Sequence, residues 1–223
     1  MVEFHVSPVE VHVKHLVDEW IRGMQVLLPR SCISTEEPPV LVFDTETTGL
    51  VHPCVCQLAF VVFREGVLVR CHKSLLRLPK GVQMSPDAER VHGLSLAHVQ
   101  EHGNDAVSEL ENLDDAMRDV LSAGGTVAGH NVAFDIRAIA TTRREWSLDD
   151  GVKIPPAQLL CTQRASRQRS HKRDIRGRRK VLKNAELYEA LHGTPPIGRL
   201  HDAMEDVRIT LHSYLEGRAR EWW

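Results

Sequence analysis

The sequence predicts an α/β fold built on a mixed sheet. Three observations carry that reading. Val40-Leu41-Val42-Phe43 is a short apolar, β-prone run, which marks a buried strand. Two longer β-prone runs, 55–63 and 66–76, meet at Glu65-Gly66, a pair suited to a tight hairpin. Beyond them, stretches with helical periodicity alternate with short strand candidates, the pattern of a sheet flanked by helices.

Taken in order, the chain opens on Ser7-Pro8-Val9-Glu10, which combines an N-cap, proline at the first helical position and a capping-box glutamate. Val9, Val13, Leu16, Val17, Trp20, Ile21, Met24, Leu27 and Leu28 then form an apolar stripe that Pro29 ends. One long amphipathic helix is expected over 7–28, packed on the core or serving as a homodimer or partner surface. Residues 31–39 read as a linker. A strand over 40–46 and the hairpin strands 55–63 and 66–76 follow. Val107, Leu110, Leu113, Met117, Val120 and Leu121 recur at helical spacing within a helix predicted over 104–122. Its acids Glu109, Glu111, Asp114, Asp115 and Asp119 read as a solvated face. Next come a strand (126–130), a helix (134–145), a strand (157–161) and two helices (184–192 and 202–216). The organisation is thus an N-terminal helix and linker (1–39), a domain over 40–217 with a basic insertion at 163–183, and a tail (218–223).

The chain has 223 residues, 42% of them hydrophobic, enough for one well-packed domain. It has no apolar run long enough to span a membrane, and its start lacks the pattern of a secretory leader. Five cysteines without a Cys-x2-Cys pair suggest buried, reduced thiols, and with them an intracellular, cytoplasmic or nuclear, setting. A zinc site from Cys54, Cys56, Cys71 and His72 is the less favoured alternative. The net charge of −2 is unevenly spread: residues 164–183 hold ten Lys or Arg against one acid, Asp174. With few apolar residues and Gly177 in its middle, this segment reads as a mobile loop. It would track a phosphate backbone, serve as a nuclear localisation signal, or be a solvated insertion.

Three short segments carry the chemistry. Asp44 and Glu46 end the first strand, and side chains two apart on a strand share a face, roughly 6–7 Å apart. Two carboxylates leaving a buried strand together repel unless a cation lies between them. Hard divalent ions bind through such carboxylates and phosphate oxygens. Taken alone, the pair is equally well an acidic turn. Asp135 follows a second short strand, where a helix begins. His201 stands five residues before Asp206; that spacing does not share a helix face, so His201 precedes the helix that carries Asp206. A histidine there supplies a group that takes a proton near neutral pH.

At this point the chain resembles a known family. Asp44-Thr45-Glu46-Thr47-Thr48-Gly49-Leu50, His130-Asn131-Val132-Ala133-Phe134-Asp135 and His201-x4-Asp206 resemble the three motifs of DEDDh (DnaQ-like) 3′→5′ exonucleases. That group includes polymerase proofreading subunits, ribonuclease T and TREX-type enzymes. Val91-His92-Gly93-Leu94 and Leu187-Tyr188 match further family segments, and the resemblance covers roughly residues 40–216.

The resemblance implies a ribonuclease-H-like fold with a five-stranded mixed sheet and a site at the strand ends. It implies two Mg²⁺ or Mn²⁺ ions held by Asp44, Glu46 and Asp206, with Asp135 completing the site. His201 would be the general base, carried on a loop that swings in with substrate. The Thr47–Leu50 turn would hold the terminal nucleotide, and His92, Asn131 and Phe134 would line the same pocket. Arg176, Arg178, Arg179 and Lys180 are candidate contacts to the strand. The expected substrate is nucleic acid with a 3′ end, DNA favoured and RNA the alternative, released as nucleoside 5′-monophosphates. A non-catalytic nucleic-acid-binding module is the rival class, but such a module would lose a carboxylate or the histidine. All five stand.

Overall fold

The computed structural model describes residues 38–169 and 171–223. The helix expected over 7–28, and the partner surface assigned to it, lie outside these residues. Five strands form one sheet: β1 (Val40–Thr47), β2 (Val55–Arg64), β3 (Val67–Leu75), β4 (Thr126–Gly129) and β5 (Leu159–Cys161), in the order β3-β2-β1-β4-β5. The β1–β2 and β2–β3 pairs are antiparallel; β1–β4 and β4–β5 are parallel. The sheet is therefore mixed, as the sequence predicts. Glu65 and Gly66, at φ 50° and 80°, make the two-residue turn between β2 and β3. Both central residues of that turn type need positive φ.

Helices cover both faces. They are α1 (Pro86–His92), α2 (Leu96–His102), α3 (Ala106–Ser122), α4 (Val132–Glu145), α5 (Thr162–Ser166), α6 (Asn184–His192) and α7 (Ala203–Ala219). Side chains alternate along a strand, so β1 feeds two cores. Leu41 and Phe43 pack with Leu58 and Phe60 of β2, Leu110 and Leu113 of α3, and Ala138 of α4. Val40 and Val42 pack on the other face against Val207, Leu211 and Leu215 of α7. β4 accompanies β1 only as far as Val42, paired with Ala128. From Asp44 onward β1 has a neighbour on one side only, and the gap beside it is where the site forms.

Several details differ from the sequence expectation. The short helices α1 and α2 were not expected: each has seven residues, too few for a periodic stripe. Each is capped by a serine: Ser85 and Ser95 each accept from a backbone N–H three residues on. β5 starts at Leu159 because Pro156–Gln158 form a 3₁₀ turn; prolines bring no N–H to a ladder. The acids of α3 are not all on a solvated face. Glu109 and Asp114 are buried, the first against His72 and the second against Arg143, both at 2.5 Å. Such a partner offsets the cost of burying a carboxylate.

The basic segment, expected as a loop, folds back on itself in a short hairpin. Arg173 and Arg179 form an antiparallel bridge, and Asp174 accepts from the backbone N–H groups of Arg176 and Arg178 and from the Arg178 guanidinium. Where a tail was expected from 218, α7 continues to Ala219 and the chain turns back. Trp222 and Trp223 pack on Leu182, Leu187 and Leu191, and a Cβ at Gly217 would run into the Trp223 ring. Cys54, Cys56, Cys71 and Cys161 are free thiols, and burial pushes Cys54 and Cys71 up to about 11. No helix among the described residues is long and apolar enough to cross a membrane.

Candidate active site

Asp44 and Glu46 continue the face of β1 that Val40 and Val42 bury against α7. A register shift between Glu46 and Thr47 ends the regular pairing with β2; such bulges re-aim side chains beside functional sites. Asp206 lies in the first turn of α7, on the same side. Asp135 arrives from the opposite face, in the first turn of α4, through the gap that β4 leaves. Four carboxylates thus converge on the carboxyl end of β1 from both sides of the sheet.

Their charges act on one another. Burial raises Asp44 well above the usual carboxylate range, and Asp135, Asp206 and Glu46 add to the effect. Burial, then Asp206, Asp202 and Asp135, push Glu46 up to about 8. Asp135 is pushed up to about 7 by burial, against hydrogen bonds from Thr45 that favour its ionised form. Asp206 is raised by burial, partly offset by bonds from Asn184 and His201. A set of buried and half-buried carboxylates that cannot all ionise in isolation fits divalent cations, which remove the repulsion.

His201 precedes α7, as expected, with φ 62° and its backbone N–H donating to Asp206 Oδ2 at 2.9 Å. One ligand atom each from Glu46, His201 and Asp206 lie within 4.8 Å of one another. Among the described residues this is the one grouping of three such ligands, and the cysteines and His72 have no part in it. The loop before His201 is tied down. Arg199 donates to the His92 carbonyl at 3.2 Å, and Arg208 of α7 to the Ile197 carbonyl.

A cleft of about 870 Å³ opens from Glu46, lined by Thr47, Leu50, His92 and Phe134 among others. Leu50 is 80% exposed, an apolar side chain held out over the cleft. His92 is buried; its Nδ1 accepts from Leu94 N–H at 3.0 Å, which leaves Nε2–H to donate to the Thr47 carbonyl at 3.2 Å. Burial lowers its pKa, in keeping with a neutral ring. Asn131, in the left-handed conformation at φ 62°, is exposed at the start of α4 and is not in the cleft wall. Arg176, Arg178, Arg179 and Lys180 also lie outside the cleft. Two of them are paired with acids, Arg178 with Asp174 and Lys180 with Glu186.

Three contributors escaped the sequence reading. Thr45 holds Asp135, Asn184 holds Asp206, and Asp202 caps α7 while adding its charge to the cluster. Thr45 sits inside the first motif and Asp202 beside His201, but neither position discloses its partner. Asn184 offered only a helix start.

Comparison with known proteins is consistent with this geometry. A search of curated protein sequences finds no match. Among solved structures, exonuclease X in complex with 5′-overhanging duplex DNA is similar at 23% identity and a TM-score of 0.53, over 82% of this chain and 93% of that one. E. coli exonuclease I in complex with a dT13 oligonucleotide gives 15% identity and 0.64, over 83% and 42%. Exonuclease I from Methylocaldum szegediense gives 19% and 0.61, over 82% and 41%. The chain spans about two fifths of those exonuclease I chains. At these identities the likeness concerns the fold, which is ribonuclease-H-like. The family model described as Exonuclease, RNase_T, matches residues 41–214, which takes in all three acidic motifs. The chain belongs to this exonuclease family.

Proposed function

We propose that the protein is a 3′→5′ exonuclease that hydrolyses DNA, single-stranded or frayed at its 3′ end, to nucleoside 5′-monophosphates. One observation carries this reading: Asp44, Glu46, Asp135 and Asp206 converge, with His201 beside Glu46 and Asp206, at the strand end where Glu46 opens onto the cleft. Two Mg²⁺ or Mn²⁺ ions would be held by Asp44, Glu46 and Asp206, with Asp135 completing the set. Bound there, such ions neutralise charge on the phosphate and on both the attacking and leaving oxygens of an in-line displacement. His201 takes the proton of the attacking water, its ring turned toward Glu46 and Asp206. Thr47 and the exposed Leu50 position the last nucleotide, Phe134 closes the wall beside it, and His92 stiffens the turn through the Thr47 carbonyl. Asn131 and the cations of the hairpin contact the strand further out.

DNA is favoured because the structures of similar fold include exonucleases bound to DNA. The test is a degradation ladder on single-stranded DNA, RNA and mismatched duplex, each labelled at the 5′ end. Successive shortening of the labelled strand, fastest on DNA and silenced by EDTA, is the expected result. Immediate release of labelled mononucleotide would reverse the polarity, and faster loss of the RNA would make the enzyme an exoribonuclease.

A further inference from the structure

Asn184 is the first residue of α6, yet its side chain takes no part in capping that helix. The amide turns across to α7. Its Nδ2 donates to the Asp206 backbone carbonyl at 3.0 Å and to Asp206 Oδ1 at 3.1 Å, while its Oδ1 accepts from the Thr210 hydroxyl at 3.2 Å. The orientation of the amide is settled by chemistry, since a backbone carbonyl only accepts and the NH₂ end must face it. Thr210 stands one turn beyond Asp206 and is buried. The amide is thus clamped to two successive turns of α7.

The effect falls on one carboxylate. Asp206 Oδ1 is held by Asn184 and Oδ2 by the His201 backbone N–H at 2.9 Å. A carboxylate bonded through both oxygens to separate elements cannot rotate, so its remaining lone pairs keep a fixed direction. Ligating groups are commonly oriented by such outer partners, and losing one costs about 10–100-fold in metal affinity. We infer that Asn184 is the positioning residue for Asp206: it holds this carboxylate in the orientation in which, together with Glu46, it would take up a cation. This rests on the reading of the carboxylates as metal ligands.

Asn184 also couples two parts of the molecule. It lies directly behind the basic hairpin, whose exit is fixed by the buried Leu182, by the Leu182 carbonyl on the His130 ring at 3.1 Å, and by the Lys180–Glu186 pair. The hairpin and Asp206 therefore share an anchor.

The test measures Mn²⁺ binding by calorimetry, with Mg²⁺ dependence of turnover alongside, for the wild type, Asn184→Leu, Asn184→Ala and Thr210→Val. Melting in EDTA controls for folding, and Asn184→Ala, which only removes atoms, decides if the leucine fails to fold. Both Asn184 variants are expected to weaken Mn²⁺ binding about 10–100-fold and to raise the Mg²⁺ needed for half-maximal rate, with little change in KM for a minimal nucleotide ester. Thr210→Val should have a smaller effect, and none on top of Asn184→Leu. Wild-type Mn²⁺ affinity in the folded Asn184 variants would overturn the inference and leave the residue a tie between two helices. Failure of the wild type itself to bind Mn²⁺ would instead sink the metal reading on which it rests.

Discussion

Thr45 grips Asp135 twice: its hydroxyl, at 2.8 Å, and its backbone N–H, at 3.1 Å, both donate to Oδ1. Thr45 points to the face of β1 opposite Asp44 and Glu46, so one strand supplies two carboxylates on one side and holds a third from the other. Thr45→Val keeps the shape and removes the hydroxyl. Turnover and metal affinity are expected to fall roughly 10–100-fold, the usual effect of losing an outer partner, with the far-ultraviolet circular dichroism unchanged. Wild-type kinetics would show that the backbone N–H suffices.

Asp44→Ala and Asp206→Ala should each abolish hydrolysis with the fold intact, because on the proposed mechanism each removes a metal ligand and neither removes core packing. In EDTA both variants should melt above the wild type, since one charge fewer relieves the repulsion. Residual activity in either variant, measured on a 5′-labelled strand, would contradict the two-metal reading.

The same carboxylates set a pH dependence of stability. In the metal-free fold Glu46 and Asp135 keep protons up to about 8 and about 7, whereas the unfolded chain releases them in the ordinary carboxylate range. The folded state then binds more protons than the unfolded one, so stability falls as pH rises. His130 and His212, lowered to about 4 by burial, act in the opposite sense below their ordinary 6.5. The clean window is therefore pH 6.5 to 8. Melting in EDTA should drop across it, and Mg²⁺ should remove the drop. A melting point that climbs toward pH 8 in EDTA would mean the carboxylates are not repelling.

His201→Ala should lower turnover roughly 10²–10⁴-fold, the range for losing a general base. Turnover within a few-fold of wild type in the variant would remove His201 from that role.

Replacing Arg176, Arg178, Arg179 and Lys180 with alanine should weaken binding of long single strands and flatten its salt dependence, since fewer counterions are released. Cleavage of a nitrophenyl ester of thymidine monophosphate should barely change. Equal loss on both substrates would mean that the hairpin shapes the site, as its link to Asn184 allows. No loss on either would leave the segment a solvated insertion or a localisation signal.

What the sequence disclosed divides along a physical line. The strands and the long helices of the described residues were legible because periodicity is a local property, and the three motif segments because their spacing is. The Glu65-Gly66 turn was legible for the same reason. Asp114 was misread as solvated because its partner Arg143 is 29 positions away. Asn184 and Thr45 went unread because their roles lie in contacts across 22 and 90 positions. The hairpin was hidden by composition, since ten cations read as disorder unless Asp174 is seen to clamp the turn.

β1 lies at the centre of five strands, while His201 hangs on a loop tied by Arg199, Arg208 and its own N–H. The two halves of the site are therefore expected to open as different cooperative units. Amides of Val40–Phe43 should exchange with solvent only when the whole domain opens, and those around His201 through local opening. A lesion in the core would accordingly lower the amount of enzyme and leave each surviving molecule fully active. A lesion in the loop would leave the amount unchanged and disable every molecule.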